Sequence, residues 1–163
     1  MFRPMRRAKQ QLSDAEANRI LDAGTSGVLA LMGDDGYPYA VPLSYMHCGG
    51  AIYFHCANAG HKLDAVRYCD RASFCLIAQD DVTPEDYSTR YRSAIAFGRI
   101  AVVEDEKEQR EAIQAICRRY YPEGTEQRHD REIDGHAGAF TILKLTIEQL
   151  TGKESKALAQ ERK

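Results

Sequence analysis

A chain of 163 residues with a formal net charge of −2 has the length of one domain and can close a hydrophobic core without disulfides or a structural metal. Its 22 basic and 24 acidic side chains are mixed along the sequence, so the basic stripe of a nucleic-acid-binding surface is missing. Arg3, Arg6, Arg7 and Lys9 form a short basic patch, but no apolar run follows them as in a secretory signal. No stretch approaches the length of a membrane span, and the expectation is a cytoplasmic protein without nucleic-acid or membrane partners. The five cysteines, Cys48, Cys56, Cys69, Cys75 and Cys117, are odd in number and contain no C-x-x-C pair. Cys56, Cys75 and Cys117 sit in apolar contexts and are expected to be small core residues in a reducing compartment.

Ser13 and Glu16 form an S-x-x-E capping box, and Ala17, Ile20, Leu21 and Ala23 follow at helical spacing, which predicts a helix over 13–23. Gly27–Met32 is a short apolar strand that ends in a Gly-Asp-Asp-Gly turn. A strand from Tyr37 to Met46 puts Tyr39, Val41, Leu43 and Tyr45 on one side and Pro38, Pro42 and Ser44 on the other. Two prolines cannot donate to a central ladder, so this strand is edge-like or interrupted, with backbone groups near Pro42 left for another partner. Gly49-Gly50 turns the chain into Ala51–Cys56, whose Ile52, Phe54 and Cys56 oppose Tyr53 and His55.

A helix is expected from His61 to Cys69 and a buried strand over Ser73–Ala78. Residues 79–90, rich in Asp, Pro, Glu and Ser, read as a loop. Arg92–Val103 is a long strand in which Gly98 marks a bulge or a close backbone approach. Asp105 and Glu108 start a helix that carries Ala112, Ile113, Ile116 and Tyr120 and ends before Pro122. Residues 122–137 are polar and show no assignable period, Phe140–Ile147 is the last strand, and 152–163 is a charged tail. Six strands in hairpin order with a few helices define a mostly β fold, an antiparallel barrel in one domain over 1–163. Without β-α-β alternation, G-x-G-x-x-G or a P-loop, a doubly wound nucleotide fold is excluded.

The block from Tyr37 to Leu63 carries the chemistry. A helix N-terminus at 58–63 offers unpaired N–H groups, Lys62 adds a full charge, and Gly60 permits close approach, which together suit a phosphate. The plainer alternative is an ordinary helix start. His55 is either a surface histidine or part of a ligand site where the Pro42 strand leaves its ladder, and imidazole can hydrogen-bond or move a proton there. His47, His55 and His61 do not make a metal set, because 47 and 55 lie across a turn and no carboxylate or cysteine completes a spacing. No G-x-S-x-G surrounds any serine, so a serine hydrolase is excluded.

Met5-Arg6-Arg7, Tyr37 to Tyr45 (YPYAVPLSY), Ile52 to Ala57 (IYFHCA), Gly60 to Asp64 (GHKLD), Ser93 to Arg99 (SAIAFGR) and Leu150 to Ser155 (LTGKES) together resemble the pyridoxamine 5′-phosphate oxidase-related flavoproteins. Within that group the nitroimidazole-resistance (Nim) branch is the most similar. The resemblance implies a six-stranded antiparallel Greek-key split barrel with flanking helices, an obligate homodimer, and one FMN in each of two interface clefts. It implies that the backbone of Val41, Pro42, Leu43 and Ser44 lies along the flavin ring. Gly60, His61, Lys62 and Leu63, with Ser93, would hold the phosphate, and His55 would stand near flavin and substrate as the catalytic residue. The activity implied is FMN-dependent reduction of a small molecule, a nitro group in the Nim case. The chain has no Trp and no Arg-x-His pair, so vitamin B6 oxidation is not expected. A flavin- or haem-binding storage protein of the same fold is the alternative, and the substrate and electron donor stay open.

Overall fold

Ser13 starts the first helix as its spacing predicts. In the computed structural model, which describes residues 2–162, the Ser13 N–H donates to the Glu16 carboxylate at 2.9 Å and the Glu16 N–H donates to the Ser13 hydroxyl at 3.3 Å. Thirteen elements follow in the order β1 (Gln11–Leu12), α1 (Asp14–Ala23), β2 (Ser26–Met32), β3 (Pro38–Ser44), β4 (Met46–Cys48), β5 (Ala51–Ala57), α2 (His61–Tyr68), β6 (Arg71–Thr83), β7 (Ser88–Val102), α3 (Glu106–Tyr120), α4 (Glu126–Gly135), β8 (Phe140–Glu154) and α5 (Lys156–Glu161). Short 3-10 turns at 8–10 and 84–86 complete the chain.

All strand pairs are antiparallel, in the order β3-β2-β6-β7-β8-β5-β4, with β1 on β8. The two ends of that order, β3 and β4, are halves of one extended segment separated only by Tyr45. The sheet therefore closes on itself as a barrel. Leu29, Phe54, Phe74, Ile100, Leu143 and Leu145 fill its interior, joined by Leu21 from α1 and Leu63 from α2. The helices α3 and α4 cover the outside of β5 and β8 with a second, smaller core that includes Ile113, Ile116, Ile133 and Ile142.

The expected six strands are present as a mostly antiparallel barrel with flanking helices, but the count is eight. Two-residue β1 was too short to show a pattern, and the segment expected as one strand over 37–46 divides at Tyr45. The reason for the division is Tyr120 of α3. Its hydroxyl accepts from the Tyr45 N–H at 2.9 Å and reaches the carbonyl oxygens of Tyr45 and Thr25. With β2 and β3 in register from Ser26/Ser44, Thr25 and Tyr45 would be the next pair. The phenol stands in that gap and lets the strand leave β2 without stranding its polar groups. Burial also pushes the Tyr45 phenol up to about 12, against the pull of Arg119, and its hydroxyl donates to the Leu21 carbonyl at 2.6 Å. Tyr120→Phe removes the hydroxyl that serves the Tyr45 N–H and the Tyr45 and Thr25 carbonyls and is expected to cost about 1–3 kcal/mol. Urea unfolding should show this as a lower midpoint with an unchanged slope.

Residues 79–90 correct the expectation of a loop. The β6–β7 ladder shifts register between Ile77 and Gln79, then continues to Thr83/Ser88 as a hairpin arm. Much of the arm is exposed, so its composition is polar and the usual in/out alternation is absent. Gly98 behaves as expected: the β7–β8 register shifts between Phe97 and Gly98, and a Cβ there would collide with the Thr146 carbonyl oxygen. The turn at Gly49-Gly50 has φ of 58° and 76°, the positive values that a two-residue hairpin loop needs. The polar stretch 122–137 contains α4, capped by Thr125 and anchored through Ile133. The charged segment from Gly152 completes β8 and forms α5, whose buried Leu158 holds it to the barrel. Glu154, fully buried, faces Arg92 at 3.3 Å and Arg162 at 2.8 Å. Among the described residues no helix is long and apolar enough to cross a membrane.

Candidate functional site

The barrel opens along one seam, and the ladder geometry shows which groups face it. The Gly33 N–H donates to the Tyr37 carbonyl at 2.9 Å, which makes that pair hydrogen-bonded. Antiparallel pairs alternate between bonded and non-bonded. In the observed register, therefore, Tyr39, Val41 and Leu43 bond to β2, while Pro38, Ala40, Pro42 and Ser44 turn their backbone groups the other way. Both prolines occupy outward positions where a missing N–H costs no ladder bond.

The opposite wall is β5. The Ile147 N–H donates to the Gly50 carbonyl at 3.0 Å, so by the same alternation Ile52, Phe54 and Cys56 bond to β8, and His55 and Ala57 face away from it. Pairing of β4 with β5 stops at Met46/Tyr53. Continued in the same register, it would set Ser44 against His55 and Pro42 against Ala57. Instead the two edges part, and Ala40, Ser44, His55 and Ala57 present N–H and carbonyl groups across an open seam. Such an edge can hydrogen-bond the rim of a flat heterocycle at several points.

The start of α2 follows the end of β5. Gly60 has a φ of 123°, which favours glycine, and its carbonyl accepts from the Leu63 N–H at 2.9 Å. The N–H groups of His61 and Lys62 precede the first helical bond and point out of the helix. Lys62 is half-buried and lies close to Cys56: burial pushes that thiol up, and the Lys62 charge pulls it partly back. Nearby contacts join His61 to Asp34 at 3.8 Å and Arg67 to Asp64 at 3.3 Å, and Lys62 makes no ion pair among the described residues.

The expected site residues thus fall into groups. Pro42, Ser44 and His55 line the seam, with Gly60 and Lys62 just beyond β5. Val41 and Leu43 lie on the same strand, but their backbone bonds go to β2 and their side chains pack on the barrel core. Leu63 is buried in that core, so only its backbone belongs to the helix start. The His61 ring stacks on Tyr39, with ring centres 4.2 Å apart. Ser93 stands on the outward side of β7, opposite Lys153 and Ile77. The three histidines do not converge: His47 pairs with Asp22 at 2.7 Å, while His61, against the expectation that no carboxylate would join it, lies with Asp34 and Asp35, their ligand atoms within 4.8 Å of one another.

A cavity of about 500 Å3 adjoins the seam, with Ser44 and His55 on one side and Ile113, Ile116, Cys117 and Tyr120 on the other. The α3–α4 side of this cavity was not visible in the sequence. Ile113 and Ile116 show only the helical period of a core face, and nothing local says which strands they would meet.

An antiparallel barrel sealed by helices, with one seam left open between two strand edges, defines a split barrel. The chain belongs to the pyridoxamine 5′-phosphate oxidase family, whose profile matches residues 13–154. Among solved structures it is similar to a conserved hypothetical protein from Mycobacterium tuberculosis, at 21% identity over 95% of this chain and 92% of that one, with a TM-score of 0.79. It is also similar to a Bacteroides thetaiotaomicron protein named for 5-nitroimidazole antibiotic resistance, at 19% identity over 88% and 86%, with a TM-score of 0.73. An FAD- and haem-binding protein from Mycobacterium smegmatis matches at 25% identity over 91% of this chain and 74% of that one, with a TM-score of 0.71. No curated protein matches the sequence.

Proposed function

We propose that the chain is an FMN-dependent oxidoreductase of a small molecule, working as a homodimer. The observation that carries this reading is the open seam. Two strand edges with unspent backbone donors and acceptors suit the rim of an isoalloxazine ring, and the start of α2 with unpaired Lys62 suits one phosphate. When bound, the flavin would supply hydride or electron transfer. The chain's own part is to fix the ring through Ala40, Ser44, His55 and Ala57, to hold the phosphate through Lys62, and to offer the His55 imidazole as a proton donor. No second glycine-rich turn offers a place for a pyrophosphate, which favours FMN over FAD.

Pairing is supported by the outer face of the barrel. Pro42, Val28, Cys75, Ile95 and Thr151 form one outward row across five strands, and Ala40, Ala30, Ser73, Phe97 and Gln149 form the next. Apart from Gln149 these side chains are small or apolar, and the rows resemble an interface more than a solvated surface.

Purified protein should show an oxidised-flavin band near about 450 nm and release FMN on denaturation. Light scattering should give the mass of two chains, with flavin content and dimer rising and falling together. A flavin-loaded monomer at micromolar concentration would remove the dimer from this reading. Protein that neither carries flavin nor quenches added FMN fluorescence would remove the cofactor. The likeness to a haem-binding protein supports a second reading, a haem or flavin carrier without turnover, which a Soret band in place of the flavin band would favour.

A further inference from the structure

The turn between β2 and β3 and the start of α2 bring together side chains that the seam does not use. Asp34 and Asp35 lie in the turn, where the Gly33 carbonyl accepts from the Gly36 N–H at 3.1 Å and the Gly33 N–H donates to the Tyr37 carbonyl. Asp35 Oδ1 accepts from the Tyr37 N–H at 3.0 Å, which sets the direction of that carboxylate. His61 is the first residue of α2, and its ring lies on Tyr39 with an interplanar angle of 25°. Its Nε2 stands 3.8 Å from Asp34 Oδ1. That separation is too long for a hydrogen bond. It is close to the spacing of about 3.4 Å between two ligand atoms that each lie about 2.1 Å from a shared tetrahedral ion.

Gly33 adds an independent observation. A Cβ there would stand 2.5 Å from Asp35 Oδ1, 2.7 Å from the Tyr37 carbonyl oxygen and 3.3 Å from His61 Nε2. A carboxylate oxygen, a main-chain oxygen and an imidazole nitrogen, from two separate elements, therefore face one point that only glycine leaves open. Among the described residues the His61 ring and the Asp34 carboxylate make no hydrogen bond, and no Lys or Arg pairs with Asp34 or Asp35. Arg67 pairs instead with Asp64, and the Lys62 charge lies against Cys56. Two like charges are thus held together beside an imidazole nitrogen, an arrangement that a shared cation relieves.

We propose that Asp34, Asp35 and His61 bind one divalent transition ion of the zinc class, with the Tyr37 carbonyl oxygen facing it and water in the remaining positions. The two carboxylates supply the charge, and the imidazole selects against Mg2+ and Ca2+, which take oxygen ligands. The ion ties the β2–β3 turn to the first residue of α2, next to Lys62. The site stands whether or not a flavin occupies the seam.

The test is equilibrium dialysis of chelator-treated, full-length protein against Zn2+. Wild type should take up one tight equivalent per chain, and Mg2+ in about hundredfold excess should not displace it. Asp34→Asn and His61→Phe should each weaken that equivalent by at least about 10- to 100-fold, the loss that follows removal of even a group behind a metal ligand. Asp34 is exposed and phenylalanine keeps a ring on Tyr39, so both variants retain the fold, which circular dichroism checks. Cys48→Ser removes the exposed thiol, the other side chain that attracts zinc, and should leave the uptake unchanged. No uptake by wild type, uptake that either ligand variant retains, loss of it in Cys48→Ser, or displacement by Mg2+ would each overturn the proposal.

Discussion

Replacing His55 by alanine is expected to leave a folded, dimeric, FMN-loaded protein whose turnover of an accepted substrate falls by about 10²–10⁴-fold. The side chain lies on the outer face of β5, opposite the inward Phe54 and Cys56, so its removal leaves no hole in the barrel core. Its backbone, which is what faces the seam edge, is unchanged by the substitution. What disappears is the imidazole between the seam and the cavity, and with it a group of the kind that passes a proton near neutral pH. Stopped-flow reduction by dithionite should therefore match wild type, while reoxidation by a proton-requiring acceptor slows. Loss of FMN in the variant, together with full activity in whatever fraction retains it, would make His55 a structural residue.

The second large effect concerns Lys62. Lys62→Ala is expected to weaken FMN by about 10- to 100-fold, the size of a lost hydrogen bond to a charged group, and to leave riboflavin nearly unaffected. The two ligands share the ring and the ribityl chain and differ only in the phosphate, so the difference isolates the anion contact. The helix should survive, because Leu63, Ala65 and Val66 anchor α2 in the barrel core while Lys62 is only half-buried. Titration of apoprotein followed by flavin fluorescence gives both constants. Equal losses for FMN and riboflavin would show that Lys62 does not touch the phosphate, and the α2 start would then be only a helix start. Raised salt should weaken wild-type FMN binding more than that of the variant.

The sequence by itself determined the local elements whose signals are covalent or short-range. The Ser13–Glu16 box, the Gly49-Gly50 hairpin and the Asp105 cap each need only a few neighbouring residues, and all three stand where the pattern puts them. The edge character of the Pro38–Ser44 strand was legible for the same reason, since a ring without an N–H declares its own position. Tertiary structure alone decided the rest. That β3 and β4 are one strand shared between two partners, opened by a phenol from a helix 75 residues away, depends on contacts no local window contains. The β6–β7 arm was hidden because a hairpin exposed on both faces needs no alternation, and its backbone ladder is indifferent to side-chain polarity. The cavity joins Ser44 and His55 to Ile116 and Arg128, four residues that only folding brings together, because site geometry follows strand register and helix docking and not spacing along the chain.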